Sequence, residues 1–308
     1  LSMETIDNRV RDILRVKFLT GLFDTPYQTD LALADKEVNS EAHQQVALQA
    51  SREGLVLLKN ANNLLPLDKS QIKRIAVCGP NADEASFALT HYGPVAVEVI
   101  TVLEGIKQQV KEGTKVTYTK GCDLVDTNWP ESEIISYPLT AEEKTEIQKA
   151  VDNVKESDVA VVVLGGGIRT CGENKSRTSL DLPGHQQQLL EAIVATGKPV
   201  VLVLINGRPL SINWADKFVP AILEAWYPGS QGGTAIAEAL FGDYNPGGKL
   251  TVTFPKTVGQ IPFNFPAKPA SQVDGGQTPG MKGNQSRING PLYPFGYGLS
   301  YTTFEYSN

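Results

Sequence analysis

Apolar, β-branched runs alternating with helical segments confine this chain to a sheet covered by helices. The clearest run is Asp158-Val159-Ala160-Val161-Val162-Val163-Leu164, which ends in three consecutive glycines, Gly165 to Gly167. A stretch that is apolar on both of its faces suits a parallel strand buried from both sides. Arg74–Cys78, Lys115–Thr119, Pro199–Ile205 and Ala221–Ala225 read as further strands. Between them Thr101–Gln109, Thr140–Glu156, Gln186–Ala195 and Gly233–Phe241 read as helices, with a capping box at Thr140 and Glu143 opening the second. Such alternation implies βαβ units with right-handed connections and a mostly parallel sheet.

The flanks read differently. Ile6, Val10, Ile13, Leu14, Phe18 and Leu22 mark an amphipathic helix, stopped by Gly21 and Pro26. A polar connector through Asp30, Asp35 and Lys36 follows, then a second helix from about Ser40 to Asn60. Beyond Phe254-Pro255 periodicity ceases. Residues 263 to 290 are rich in Pro, Gly, Gln, Ser and Asn, as in a long exposed loop or linker. Aromatic residues gather between Pro291 and Tyr306, and Glu305 to Asn308 reads as a half-alternating strand with nothing after it to pair with. The chain therefore reads as cut at both ends.

Several kinds of chemistry are disfavoured. A formal charge of −6, with no basic stripe, argues against a nucleic-acid partner. No apolar run approaches the roughly 18 residues of a membrane span, and no signal peptide opens the chain. Cys78, Cys122 and Cys171 are too few and too far apart for a disulfide framework or a zinc site; Cys78 reads as a buried strand residue. His43, His91 and His185 belong to no metal-ligand motif. The glycines at 165 to 167 fit neither a dinucleotide fingerprint nor a phosphate loop, and Pro228 stands where a serine nucleophile elbow needs glycine.

Carboxylates remain. Glu173 lies in the polar loop Thr170 to Gly184, beyond the carboxyl end of the strand 158–164, where open α/β sheets place their ligands. A glycosidase needs one carboxylic acid to protonate the leaving oxygen and a second carboxylate opposite it. The residues alone leave Glu173 as either that acid or a solvated loop glutamate.

Longer segments carry a resemblance. Arg15 to Asp24, Val56 to Asn60 with Leu64 to Leu67, Gly79 to Asp83, Asn206 to Leu210, Phe241 to Lys249 and Pro294 to Tyr301 are similar, in order, to segments of glycoside hydrolase family 3. The resemblance implies a three-layer α/β sandwich of about six mostly parallel strands with helices on both faces. It divides the chain into the last helix of an N-terminal barrel plus linker (1–35), the sandwich domain (36–262), and a long loop with the start of a C-terminal β domain (263–308).

It also implies roles. Glu173-Asn174-Lys175-Ser176-Arg177 followed by Leu180-Asp181-Leu182-Pro183 matches the family's acid/base motif, which assigns Glu173 as general acid/base and Arg177 as a loop anchor. Ser176 stands where many members have Asp. His91 and Tyr92, on the loop after Asp83, are expected to line the leaving-group side of the pocket. Members retain anomeric configuration, with a nucleophilic Asp on the barrel, here expected upstream of Leu1, and with no metal or cofactor. The substrate expected is an oligosaccharide or β-glycoside, β-glucosides first and β-xylosides second, and the expected compartment is periplasmic or extracellular. The rival reading is a non-catalytic carbohydrate-binding or interaction module on the same fold.

Overall fold

A computed structural model describes all residues except 27–29, 90–91, 94–96, 111, 266–287, 289, 304 and 306–308. It divides into two compact units, Leu1–His43 and Gln44–Asn308. The first holds helix α1 (Met3–Leu19), capped by the Ser2 hydroxyl on the Thr5 N–H, and helix α2 (Leu31–Glu37), capped by Asp30 on the Leu33 N–H. Helix α2 replaces the polar connector expected there. A capping aspartate and the segment Leu31-Ala32-Leu33-Ala34 are enough to start a short helix.

The helix expected over Ser40–Asn60 is two elements. Helix α3 (Glu41–Gly54) stops at a glycine, and Val56–Asn60 continues as strand β1. In β1 the backbone pairs antiparallel with strand β6 (Ala221–Trp226), with a register shift between Leu57 and Lys59. Leu55, Val56, Leu57 and Leu58 are all buried, so the segment needs protection on both faces. A sheet edge between two helical layers provides it, whereas an amphipathic helix would bury one face only.

The remaining strands are β2 (Arg74–Cys78), β3 (Lys115–Thr119), β4 (Val159–Gly165) and β5 (Val200–Ile205), and the sheet runs β1-β6-β5-β4-β2-β3. All pairs except β1–β6 are parallel. Alternate strand residues divide between two cores. Ala160, Val162, Leu164, Leu202 and Leu204 face helices α5 (Ala141–Lys155), α6 (Gln186–Val194) and α7 (Asn213–Phe218). Val159, Val161, Val163, Val201 and Val203 face helices α4 (Val102–Gln109) and α8 (Gly232–Phe241), together with Leu48 of α3. The unit Gln44–Asn308 is thus a three-layer α/β sandwich, as expected.

The expected capping box is present: the Thr140 hydroxyl accepts from the Glu143 N–H while Glu143 reaches back to the Thr140 N–H, and Thr101 with Glu104 repeats the motif on α4. Helix α7 is an element the sequence did not reveal. After the turn-rich stretch that follows α8, Tyr293 and Phe254 pack edge to face, and Leu299 bridges to Leu57 of the edge strand. Most of the half-alternating strand expected over Glu305–Asn308, namely residues 306–308, and most of the 263–290 loop lie outside the described residues.

Candidate active site

Strand order positions the site. From β2 the chain moves outward to β3, whereas from β4 it moves the other way, to β5 and then β6. The connections leaving β2 and β4 therefore diverge, and a crevice opens between them at their carboxyl ends. The β2 connection contributes Asn81 and Tyr92; the β4 connection contributes Glu173. Asn81, 2% exposed, donates from Nδ2 to the Gly166 carbonyl at 2.8 Å and so pins the two connections together.

Gly165 makes the exit from β4 possible. Its φ of +139° lies in glycine territory, and a Cβ there would sit 2.0 Å from the Ile205 carbonyl oxygen. The buried amide of Gln186 holds this exit from the other side, accepting the Gly165 N–H at 2.8 Å and donating to the carbonyls of Gly165 and Leu124. The chain then makes a helical turn closed by the Thr170 and Cys171 N–H groups on the Gly167 carbonyl. A second turn follows, with Lys175 N–H on the Gly172 carbonyl and Asn174 in the left-handed region at φ +61°. Glu173 stands on this second turn, exposed to solvent.

Glu173 is not a freely solvated loop residue. The Tyr92 hydroxyl accepts its backbone N–H at 2.9 Å and faces its carboxylate Oε2 at 3.4 Å, so one hydroxyl receives from the main chain and donates to the side chain of the same residue. Tyr92 was expected to line the pocket for a sugar, and the structure brings it to Glu173. His91 lies outside the described residues.

Arg177 is an anchor. Its guanidinium pairs with Glu133, both side chains being about 5% exposed or less, and it donates to the Asp181 carbonyl at 3.0 Å and lies over the Trp129 ring at 5.1 Å. The other oxygen of Glu133 accepts the Thr178 N–H at 2.9 Å. Burial, reinforced by the nearby Arg208 charge, lowers the Arg177 guanidinium to about 10. Ser176 is therefore not needed as a partner for Arg177, since a carboxylate 44 residues upstream fills that place.

Two groups of the site escaped the sequence reading. Arg208 donates from Nη2 to the carbonyls of Thr170, at 3.0 Å, and Lys175, at 3.2 Å, one on each side of Glu173. Glu224 is wholly buried at the end of β6, and desolvation raises its carboxyl to about 8 despite hydrogen bonds from the Trp226 N–H at 2.9 Å and Asn206 Nδ2 at 3.1 Å. The segment Asn206 to Leu210 stood out only as a similarity, and a lone glutamate inside an apolar strand was its other signal. A cleft of about 490 Å³ lies beside the loop, lined among others by Asp83, Phe87, Tyr118, Asp126 and Arg169.

Residues 55–301 match the model of the Glycosyl hydrolase family 3 C-terminal domain. The chain belongs to glycosyl hydrolase family 3. Within this family it is 42% identical, over 99% of its length, to a β-xylosidase of Formosa agariphila, of which it covers 40%. It is 39% identical to a periplasmic β-glucosidase of Salmonella typhimurium, covering 42% of that protein. Among solved structures, a β-glucosidase from Erythrobacter marinus superposes with a TM-score of 0.82 at 39% identity, over 96% of this chain and 40% of the other. A β-glucosidase from Listeria innocua gives 0.82 at 33% identity, over 99% and 40% respectively. The chain thus spans about two fifths of the length of these family 3 relatives and corresponds to their C-terminal part.

Proposed function

We propose that this chain supplies the general acid/base of a retaining β-glycosidase, with Glu173 in that role, acting on terminal non-reducing β-D-glucosyl residues. The carrying observation is the placement of Glu173: it projects from a turn beyond the carboxyl end of β4, at the divergence of strand order, tethered through its N–H and its carboxylate by Tyr92. A decayed binding module has no need of a tethered carboxylate there. β-Xylosides are the second reading, favoured by the 42% identity to a β-xylosidase.

In the first step Glu173, protonated, gives its proton to the glycosidic oxygen as the bond from that oxygen to the anomeric carbon breaks and a second carboxylate attacks the same carbon. In the second step the Glu173 carboxylate takes a proton from the water that displaces this carboxylate, which restores both groups. The resemblance puts the nucleophile, an aspartate, on an N-terminal barrel, the partner domain expected in the full-length protein. Expected partners exclude nucleic acid, and among the described residues no helix is long and apolar enough to cross a membrane. A periplasmic or extracellular setting is supported by the periplasmic relative.

A screen of nitrophenyl glycosides on the full-length enzyme tests the substrate. Glu173→Ala tests the role. Losing an acid should lower kcat/KM by about 10²- to 10⁴-fold on disaccharides while largely sparing dinitrophenyl glycosides, whose leaving groups need no proton. Azide should then accelerate turnover by replacing the water that no longer has a base. Equal loss on all leaving groups would remove Glu173 from this role.

A further inference from the structure

We propose that Arg208 is a positioning residue for general acid catalysis, fixing the tip of the Glu173 loop by binding the backbone on both sides of it. This rests on Glu173 being the acid/base and goes beyond it by naming what holds that acid in place from below.

One nitrogen makes both contacts. Arg208 Nη2 donates to the carbonyl of Thr170 at 3.0 Å and to that of Lys175 at 3.2 Å. Glu173 lies between these two points, so the guanidinium closes the stem of the loop from which the carboxylate projects. Two carbonyl oxygens converge on one cation, and without it they would face each other uncompensated. Thr170 is a firm lower point: it is 2% exposed, its hydroxyl accepts the Gly167 N–H at 3.0 Å, and its own N–H returns to the Gly167 carbonyl at 2.9 Å.

Arg208 itself starts from a fixed place. Asn206, 1% exposed, donates its backbone N–H to the Trp226 carbonyl at 3.1 Å and its Nδ2 to buried Glu224 at 3.1 Å. Gly207 leaves no freedom either, since a Cβ there would lie 2.4 Å from the Tyr227 ring and 2.8 Å from Cys171 Sγ. The end of β5 and the end of β6 are thereby coupled to the turn that carries Glu173. Arg177 cannot replace this contact, because it is committed to Glu133 and to the Asp181 carbonyl farther along the loop.

An acid must come within about 2.6–3.2 Å of the oxygen it protonates, and misplacement by about 1 Å can cost on the order of 10²-fold. A loosened tip therefore harms only those substrates that need the proton. The test compares Arg208→Gln, Arg208→Lys and Glu173→Gln in the full-length enzyme, using aryl β-glycosides of graded leaving-group acidity plus a disaccharide. Arg208→Gln is expected to lower kcat/KM by about 10- to 100-fold on the disaccharide and by less than about 3-fold on the dinitrophenyl glycoside. Arg208→Lys, which keeps the positive charge on a shorter side chain, should show the same dependence at smaller amplitude, and it carries the test alone if the glutamine variant does not fold.

A uniform loss across leaving groups, or no loss, beside a steep dependence in Glu173→Gln overturns the proposal while leaving Glu173 as the acid. A flat response of Glu173→Gln itself overturns the reading of Glu173, and the proposal with it.

Discussion

The Tyr92 hydroxyl both accepts from the Glu173 N–H and faces its Oε2, so its first effect is on where the carboxylate points. A phenol in this position can also offer its ring face to a sugar, and the two roles separate by mutation. Tyr92→Phe keeps the ring and removes the hydroxyl. One such hydrogen bond is worth about 0.5–1.5 kcal/mol, so kcat/KM on a disaccharide should fall by about 2- to 12-fold, with a smaller change on dinitrophenyl glycosides. Tyr92→Leu removes the ring as well and should add little if the hydroxyl is what matters. A silent phenylalanine variant beside a damaged leucine variant would instead make Tyr92 a sugar platform. Sequence placed Tyr92 near the pocket through similarity alone, because a partner 81 residues away leaves no local signal.

At the level of elements, the parallel core was readable because β4 and β5 are apolar on both faces and their flanking helices carry caps or a clear period. Strand β1 was not, since Gly54 is a weak punctuator and Val56-Leu57-Leu58 satisfies helical and extended patterns equally. Strand β6 hides a different feature. Its alternation is apolar except for Glu224, buried completely between Leu223 and Ala225 with its carboxyl raised to about 8.

Because the folded pKa of Glu224 exceeds the ordinary value of 4.5, the folded state holds a proton that the unfolded chain releases between those two values. The contribution to stability is therefore complete below about pH 4.5 and declines as pH rises to about 8. Glu224→Gln, which stays neutral, should match the native chain near pH 5 and exceed it by a few kcal/mol near pH 9, because each tenfold difference in proton affinity between the folded and unfolded states is worth about 1.4 kcal/mol. Denaturant titrations at the two pH values check this. A gap independent of pH would show that Glu224 is ionised in the folded protein.

For the whole molecule, the packing of the sheet and the proposed chemistry make separate demands. In the unit Gln44–Asn308 the central strands β4 and β5 are buried on both faces, giving two cores under helices, while edge strand β3 is only partly covered. Its chemistry is a different matter. Retention requires two carboxyl groups about 5–5.5 Å apart, and in the proposed mechanism the second belongs to the barrel domain, which fits a chain covering two fifths of its relatives. Residues 44–308 expressed alone should therefore unfold in one cooperative transition yet release no nitrophenol from β-glucosides or β-xylosides. Full-length enzyme at equal concentration should do so, and adding separately purified barrel to the isolated unit should recover part of that turnover if the two associate. Turnover by residues 44–308 alone, abolished by Glu173→Gln, would mean that both carboxylates reside in this unit, and the nucleophile would then have to be sought among the acids of the neighbouring cleft, Asp83, Glu84, Asp123 and Asp126.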